Sequence, residues 1–379
     1  MIIPNQKHLF TIPPDVTFLN CSYMSPLLKA ANVAGTNAIN ARNQPWSLTV
    51  GDWFNPAEEV RELFAKIIQG DKENIALIPS ASYGIAVAAR NISLQANQKI
   101  IVLDQQYPSN VYAWRELSKE SGAEIITIQK PDDETWTDAV LAKIDGQTGL
   151  VALPNCHWTN GSFVDLVQVS KKVKSVGASL VIDASQSCGA YPLNINEIKP
   201  DFLITVGYKW LLGAYGLSYL YADDKYCHTG QPIEYSWLNK KGSEDFTNLV
   251  NYRDEYKPGA RRFDMGGSPN FISIQIAIAA LKQIVEWGVE NIQETISLLT
   301  DAIEYEALKL GLKVPKRNSR VGHMIGIQFP PGEIVELSKK LTAGKVFISF
   351  RGTSMRIAPH LYNGTEDIER LFEVINQSI

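Results

Sequence analysis

Short apolar runs alternate with amphipathic stretches along the middle of the chain, from about residue 57 to residue 225. The runs predict strands at 74–78, 99–103, 124–128, 150–153, 179–182, 203–206 and 217–221. The amphipathic stretches predict helices at 82–90, 110–121 and 165–176. Several runs are continuously apolar, which is typical of strands buried on both faces of a sheet. This order favours an α/β domain with a mostly parallel sheet, whose last two strands we expect to be antiparallel.

The pattern changes after about residue 270. Helices are predicted at 272–287, 290–310, 333–341 and 366–376, and short strands at 323–329, 346–350 and 354–358. The first 30 residues contain four prolines and are expected to form an extended arm that packs with this last region. The predicted domains are therefore an arm (1–30), a large α/β domain (31–270) and a small C-terminal α+β domain (271–379).

Composition and charge exclude several classes of protein. The 379 residues are 45% hydrophobic and 20% charged, which is typical of a globular protein with two or three domains. The net charge of -4 offers no broad basic face for nucleic acid or an anionic membrane. The beginning lacks a signal-like apolar stretch, and the most apolar later stretch, 271–281, is too short to cross a bilayer. Four widely spaced cysteines predict neither disulfides nor a metal cluster, so we expect a cytoplasmic protein.

Candidate ligand-binding residues are those that follow the predicted strands, because ligands of open α/β sheets bind outside the carboxyl ends. The strand at 74–78 is followed by Ser80, Ala81 and Ser82 at the start of a helix. Uncovered backbone N–H groups and the serine hydroxyls would favour a phosphate at this point. A serine in this position can also act only as a helix cap.

Two further strand ends carry ionisable side chains. Asp183 and Gln186 follow the strand at 179–182, where an Asp either points its carboxylate into a cleft or serves as a turn residue. Lys209 lies between Tyr208 and Trp210 after the next strand. Most lysines are solvated, but a desolvated lysine has a lowered pKa, and its neutral amine can form a Schiff base with an aldehyde. A phosphate cradle, a carboxylate and a buried lysine together meet the requirements of pyridoxal 5′-phosphate (PLP).

At these residues the sequence resembles the class V aminotransferase family of fold-type I PLP-dependent enzymes, which includes cysteine desulfurases, selenocysteine lyases, isopenicillin N epimerase-like proteins and kynureninase. The motifs that carry the resemblance are FLNCS at 18–22, YPSNVYAW at 107–114, VIDASQSCG at 181–189, GYKW at 207–210, RFDMGGSPN at 262–270 and RIAPHLYN at 356–363. The resemblance implies a large domain with a mostly parallel seven-stranded sheet and a smaller C-terminal domain. It also implies a homodimer whose active site is shared between subunits.

The resemblance implies a role for each matching residue. Lys209 would carry PLP as a Schiff base, Asp183 would pair with the pyridinium nitrogen, and Gln186 would donate to the ring oxygen. Tyr107 would stack on the pyridine ring. The remaining residues expected to bind PLP are Ser80, Ala81, Ser82, Tyr208, Gly267 and Ser268, and Ser268 would come from the other subunit.

The resemblance also implies a substrate site, in which Arg356 binds the α-carboxylate. The other residues expected to bind substrate are Asn20, His157 and Trp158. Simpler alternatives exist, since Tyr107 could be a turn residue, Arg356 a solvated strand residue and His157 a residue that only stabilises a loop. Cys156 and Cys188 are expected to be small buried apolar residues.

Departures from the desulfurase branch narrow the expected activity. Desulfurases carry a nucleophilic Cys on a loop shortly before the carboxylate-binding Arg, whereas 346–356 contains no Cys. Tyr107 stands where that branch usually has a His. We therefore expect an enzyme that removes the Cα proton of an amino acid through Lys209 and catalyses transamination. The alternatives are epimerisation or a cysteine- or selenocysteine-type β-lyase reaction, and a non-catalytic PLP-binding protein is a remote one.

Overall fold

The computed structural model of the chain describes residues 1–129 and 135–378. Its strands are β1 (Thr17–Phe18), β2 (Ile75–Ile78), β3 (Lys99–Leu103), β4 (Glu124–Ile128), β5 (Thr148–Pro154), β6 (Ser179–Asp183), β7 (Phe202–Val206), β8 (Ser218–Ala222), β9 (Ile325–Gln328), β10 (Val346–Phe347), β11 (Ser349–Arg351) and β12 (Ser354–Ile357). Its helices are α1 (Lys29–Ala41), α2 (Val50–Ile68), α3 (Ala81–Asn91), α4 (Tyr112–Ser121), α5 (Trp136–Leu141), α6 (Leu166–Ser175), α7 (Ile195–Ile198), α8 (Asp224–Thr229), α9 (Ser273–Trp287), α10 (Val289–Lys309), α11 (Pro331–Ala343) and α12 (Thr365–Asn376).

The large sheet has seven strands in the order β2-β8-β7-β6-β5-β3-β4. The strand β8 is antiparallel to both of its neighbours, β2 and β7, and the other neighbouring strands are parallel. The prediction of a mostly parallel α/β sheet with an antiparallel last pair is therefore confirmed. Because only β8 is reversed, the carboxyl ends of the other six strands lie at one edge of the sheet.

The apolar runs form strands because both faces of the sheet are covered. In β7, Leu203 packs in one hydrophobic core, whereas Phe202 and Ile204 pack in a second core on the opposite face. Successive residues of a strand point to opposite faces, so a strand between two cores must be apolar at every position. This arrangement explains why these segments lack the alternation of a half-exposed strand.

The helix α3 begins directly at the carboxyl edge, immediately after β2. Ser80 caps it, since its hydroxyl accepts a hydrogen bond from the backbone N–H of Tyr83 at 3.2 Å. Gly84 allows the helix to lie close to the sheet, because a Cβ there would meet side-chain atoms of Ile78 and Ile204 at 2.7–2.9 Å. The start of α3 is therefore fixed against β2 and β7.

The C-terminal region has its own sheet, β11-β12-β9, and its own hydrophobic core. The long helix α10 connects this core to the large one, since Ile292 and Ile296 pack in the large core and Ile303 and Ala307 in the C-terminal core. The preceding helix, α9, packs against α1 and α2. This packing favours a boundary within α10, rather than at the proposed position 271, and the domain division stays a proposal.

Several elements differ from the prediction. The expected strand at 346–350 is divided, because β10 pairs with β1 in parallel, whereas β11 pairs with β12. The helices α1 and α2 precede the predicted alternation. The first residues run along the C-terminal region, and the backbone N–H of Cys21 donates to the backbone oxygen of Ala358 at 3.0 Å. Within the described residues, no helix is long and apolar enough to span a membrane.

Candidate active site

A cavity lies at the carboxyl edge of the large sheet. It is lined by Gln106, Tyr107, Asn110, Pro154, Cys156, Trp158, Asp183, Ser185, Gln186 and Lys209. These residues end or follow four different strands, β3, β5, β6 and β7, so the parallel topology itself gathers them. The structure thus brings together five residues that the sequence predicted for the site, namely Tyr107, Trp158, Asp183, Gln186 and Lys209.

Lys209 lies inside this cavity with only 6% of its surface exposed. Its Nζ atom is 5.4 Å from the centre of the Tyr107 ring and 5.8 Å from that of the Tyr208 ring. Burial lowers the pKa of Lys209 to about 8, and the positive charges of Arg356 and Arg351 act in the same direction. The Asp183 carboxylate opposes this shift. Near pH 8 a large fraction of this amine is therefore neutral and able to react with a carbonyl carbon.

Asp183 is the last residue of β6 and is buried. Its Oδ1 atom accepts a hydrogen bond from the backbone N–H of Ser185 at 3.0 Å. Within the described part of the chain, no hydrogen bond is made to its other carboxylate oxygen, Oδ2. A carboxylate held in this way at the cavity wall can accept a hydrogen bond from a protonated ring nitrogen.

Two polar atoms in the cavity wall are buried and have no hydrogen-bond partner among the described residues, Asn110 Nδ2 and Ser185 Oγ. The orientation of Asn110 is fixed, because its Oδ1 accepts a hydrogen bond from the Trp114 indole N–H at 3.0 Å. Buried polar atoms normally have partners, so these two indicate a polar ligand. Neither residue was predicted from the sequence, although Asn110 lies within the YPSNVYAW motif and Ser185 within the VIDASQSCG motif.

Gln186 is held by three neighbouring residues. Its side-chain N–H donates to the backbone oxygen of Ser22 at 3.1 Å, and its Oε1 accepts from the Trp210 indole N–H at 3.1 Å. The backbone oxygen of Gln186 is 2.6 Å from Nε2 of His323. These contacts orient the amide with one N–H still available to a ligand.

The predicted phosphate cradle lies at the same edge of the sheet, although Ser80, Ala81 and Ser82 do not line the cavity around Lys209. The hydroxyls of Ser80 and Ser82 are 3.0 Å apart at the start of α3. The first N–H groups of a helix have no partner within it, and the helix dipole favours an anion there. Burial raises the pKa of Tyr208 to about 12, so its phenol is a hydrogen-bond donor at neutral pH.

Arg356 lies on β12 with 1% of its surface exposed, which excludes the alternative of a solvated strand residue. One guanidinium nitrogen, Nη1, donates to the backbone oxygen of Trp158 at 2.8 Å, and Nη2 donates to Ser349 Oγ at 3.2 Å. Its Nε is buried and has no hydrogen-bond partner among the described residues. Arg356 also forms no ion pair with any of these residues. Burial lowers the pKa of Arg356 to about 9, and Arg351 adds to the shift. A buried guanidinium without a counter-ion is a site for an anionic ligand.

Asn20 is buried and reaches Arg356 only through another residue. The Ser349 hydroxyl donates to Asn20 Oδ1 at 2.5 Å, and the same hydroxyl accepts from Arg356. The structure therefore places Asn20 as a residue that positions the arginine. Trp158 does line the cavity, and its ring is 5.4 Å from that of Tyr107 in an edge-to-face arrangement.

His157 is not among the residues that line the cavity. Its ring stacks on Trp136 at a centroid distance of 5.3 Å, and its two nitrogens contact Thr159 Oγ1 at 2.8 Å and the backbone oxygen of Asp104 at 3.0 Å. Burial lowers the pKa of His157. These contacts correspond to the simpler alternative for His157, a neutral ring that stabilises the loop after β5.

Gly267 and Ser268 also lie outside this cavity within one chain. They form part of a turn in which the Ser268 backbone N–H donates to the oxygen of Met265 at 3.0 Å. The turn is anchored by a buried ion pair, in which the Arg61 guanidinium binds both carboxylate oxygens of Asp264. The same Asp264 accepts from the backbone N–H of Leu77, so the turn is held against β2.

The thiols of all four cysteines are buried and form no disulfide. Burial raises the pKa of each thiol, including that of Cys156, which lines the cavity. A thiol is a nucleophile only as the thiolate, and burial in apolar surroundings suppresses that form. Within the described residues there is also no group of three or more potential metal ligands.

A buried amine of lowered pKa, a carboxylate with a free oxygen, an aromatic ring and unpartnered donors fit PLP, and they define the site of a PLP-dependent enzyme. Comparison with known families identifies the group within this class. The family model "Aminotransferase class-V" matches residues 50–371, and the chain belongs to that family. The predicted family, the PLP cofactor and the enzymatic nature of the protein are thereby confirmed.

Known relatives match over nearly the whole chain. The uncharacterized aminotransferase YcbU of Bacillus subtilis (strain 168) is 26% identical over 92% of this chain and 95% of its own length. The isopenicillin N epimerase of Streptomyces clavuligerus is 24% identical over 96% of this chain and 95% of its own. Among solved structures, the apo cysteine desulfurase of Thermococcus onnurineus NA1 has a TM-score of 0.85 at 19% identity and covers 100% of this chain and 99% of its own. At that identity the structural likeness shows the fold alone.

Proposed function

We propose that this enzyme is an aminotransferase that acts on a free amino acid, with Lys209 as the base that moves the proton. The observation that carries the proposal is the buried amine of Lys209, whose pKa of about 8 allows it to accept and return a proton near neutral pH. When bound, PLP supplies the aldehyde that joins the amine and withdraws the electrons that deprotonation leaves at Cα.

In this proposal the residues around Lys209 bind and orient the cofactor and the substrate. Asp183 keeps a proton on the ring nitrogen, and Gln186 and Tyr107 orient the ring by hydrogen bonding and stacking. Ser80, Ala81, Ser82 and Tyr208 hold the phosphate. Arg356 binds the α-carboxylate of the substrate and thereby presents the Cα proton to Lys209.

Transamination is favoured over epimerisation and over a persulfide-forming reaction by the side chains around Lys209. It needs one proton carrier, because a single amine can take the proton from Cα and return it to the cofactor carbon that carried the aldehyde. Epimerisation needs a second carrier on the opposite face of Cα, whereas in this proposal Tyr107 stacks on the ring. A desulfurase-type reaction through a protein persulfide needs a nucleophilic thiolate, which the burial of all four cysteines disfavours.

The test is a panel of amino acids added in excess to the complete enzyme without an acceptor. Transamination predicts conversion of the cofactor to its pyridoxamine form and release of one equivalent of 2-oxo acid per site. Racemised amino acid without oxo acid would replace the proposal by epimerisation, and sulfide or alanine release from cysteine would replace it by a lyase reaction. Lys209→Ala is the control, since it removes the proton carrier.

We also propose that the enzyme works as a cytoplasmic homodimer in which Gly267 and Ser268 complete the partner's phosphate site. Support comes from the segment 233–252, which exposes several large apolar side chains. These are Ile233, Tyr235, Trp237, Phe246, Val250 and Tyr252. Apolar surface of this kind marks an interface. Light scattering at micromolar concentration tests the dimer, and Ser268→Ala should then weaken PLP binding without changing the mass of the particle.

A further inference from the structure

Arg351 is a second arginine whose positive charge acts on Lys209. The register of the β11–β12 hairpin pairs Ser349 with Arg356 and Arg351 with Ser354. Residues that face each other across an antiparallel pair project to the same side, as do residues two apart on one strand. Arg351 and Arg356 therefore project from the same face of the hairpin, and as diagonal neighbours their Cα atoms are roughly 7–8 Å apart.

The opposite face of the hairpin belongs to the C-terminal core, where Met355 is fully buried and Phe350 packs against it. Arg351 cannot exchange faces without moving these apolar side chains into the site. A shift by one residue would reverse every side chain of the strand, so the core fixes the position of both arginines.

Arg351 does not itself line the cavity around Lys209, but it contacts Trp158, a residue of the cavity wall. Its guanidinium carbon lies 5.4 Å from the centre of the Trp158 ring, and its Nη1 donates to the backbone oxygen of Phe350 at 2.7 Å. The positive charge of Arg351 reaches Lys209 and Arg356, since it lowers the pKa of both. Within the described residues, Arg351 forms no ion pair with a carboxylate.

Both guanidinium groups contact Trp158 of the cavity wall. Two such groups without an acidic partner, placed as diagonal neighbours, repel each other and lose hydration. An amino acid with one carboxylate neutralises only Arg356. A second anionic group, at the end of the substrate's side chain, would neutralise Arg351 and use its planar fork of donors.

We propose that Arg351 binds a second carboxylate, so that the substrate is a dicarboxylic amino acid. This inference rests on the proposed function, because that proposal assigns the α-carboxylate to Arg356. Trp158 then serves as the surface along which the methylene groups of the side chain pass between the two arginines.

The experiment measures binding of unreactive acids to the complete enzyme by calorimetry. Succinate and glutarate carry two carboxylates and butyrate carries one, and none has an amine that could react. We expect at least one of the two dicarboxylates to bind roughly tenfold or more tightly than butyrate, because it adds a charge-assisted pair. Arg351→Gln should abolish that difference and leave butyrate affinity near its original value, and Arg351→Lys should retain part of it.

The matched control is Arg115→Gln. Arg115 is also an arginine near an aromatic ring, with its guanidinium carbon 5.8 Å from the centre of the Tyr112 ring, but it lies on the exposed face of α4. This variant should bind all three acids as the original enzyme does. Equal affinity for butyrate and both dicarboxylates in the original enzyme, or a preference that survives Arg351→Gln, would overturn the inference.

Failure of the inference can be told apart from failure of the proposed function. If the amino acid panel yields 2-oxo acid from alanine as readily as from aspartate and glutamate, the enzyme is an aminotransferase and only the role of Arg351 is wrong. If dicarboxylates bind preferentially through Arg351 but no amino acid yields 2-oxo acid, the role of Arg351 stands and transamination is wrong.

Discussion

The amine of Lys209 lies 5.4 Å from the centre of the Tyr107 ring, in a cavity that leaves only 6% of the lysine exposed. Both facts bear on its titration, because a charged amine loses hydration in such a place, and an aromatic face compensates only in part. The lysine is therefore poised to lose its proton at a pH where surface lysines keep theirs.

The pH dependence of PLP recombination tests this titration. The rate at which cofactor-free protein binds PLP covalently should rise with pH with a midpoint near pH 8, since half of the Lys209 amine is neutral at its lowered pKa. Arg356→Gln removes a positive neighbour and should move the midpoint to higher pH. Asp183→Asn removes a negative neighbour and should move it to lower pH. A midpoint near ~10, the ordinary value for lysine, would contradict the burial argument.

The attachment point of the cofactor can be mapped directly. Borohydride reduction of the complete enzyme, followed by proteolysis and mass spectrometry, should find PLP on the peptide that contains Lys209. Lys209→Ala should lose both the label and turnover, because it removes the amine. A label on Lys99 or another lysine would show that the covalent site has been misassigned.

Arg356 should contribute to substrate binding far more than its neighbour Ser349. Leaving a carboxylate without its charged partner costs about 2–5 kcal/mol, so Arg356→Gln should raise KM by at least ~30-fold. Ser349→Ala removes only the hydroxyl that links Arg356 to Asn20 and should have a smaller effect. Steady-state kinetics with one amino acid measures both, and an unchanged KM in Arg356→Gln would remove this residue from the substrate site.

Asp183→Ala should lower the rate much more than the stability, because its carboxylate serves the cofactor rather than the core. The expected loss is at least ~100-fold in kcat, since the group that keeps the ring nitrogen protonated is absent. Thermal unfolding of the same variant checks the stability. Rates like those of the original enzyme would show that Asp183 does not act on the ring.

The ion pair of Arg61 with Asp264 should contribute mainly to the stability of the fold, in contrast to Asp183. Both partners are buried, and breaking a buried pair costs up to about 3–5 kcal/mol. After Asp264→Ala the Arg61 guanidinium keeps, among the described residues, only the half-exposed Glu58 as an acidic partner, at 3.2 Å. Asp264→Ala should therefore lower the unfolding temperature markedly. Glu62→Ala is the matched control, since it breaks a solvent-exposed pair with Lys66 that contributes little to stability. Equal effects of the two variants would argue against the anchoring role of Asp264.

The sequence predicted the parts of the fold whose strands are buried on both faces. The strand Lys99–Leu103 is buried from Ile100 onward and has the predicted limits. The edge strand Glu124–Ile128 also has them, although only Ile128 in it is buried. The pairing of Thr17–Phe18 with Val346–Phe347 could not be predicted. A strand of two residues is too short to show a pattern of apolar and polar positions, and its partner strand lies more than three hundred positions away.

In the candidate site, too, some residues could be predicted from the sequence and others could not. Asp183 and Lys209 were recognisable because each follows a buried strand. Asn110 and Ser185 were not, since an unpartnered amide or hydroxyl is visible only once its neighbours are known. Arg351 was missed because the side to which it projects depends on the register of a hairpin. His157 was predicted as a substrate contact, but its stacking on Trp136 depends on a helix that follows residues outside the described part of the chain.

The contact of Asn20 with Ser349 spans 329 positions along the chain. During synthesis the segment from Asn20 to Ser22 leaves the ribosome first, yet the strand that carries Ser349 and Arg356 emerges among the last elements. Contacts at such separation form late, because the intervening chain must already be ordered. A chain that stops before residue 349 contains every strand of the large sheet and Lys209, yet it lacks both Ser349 and the arginine proposed to bind the α-carboxylate.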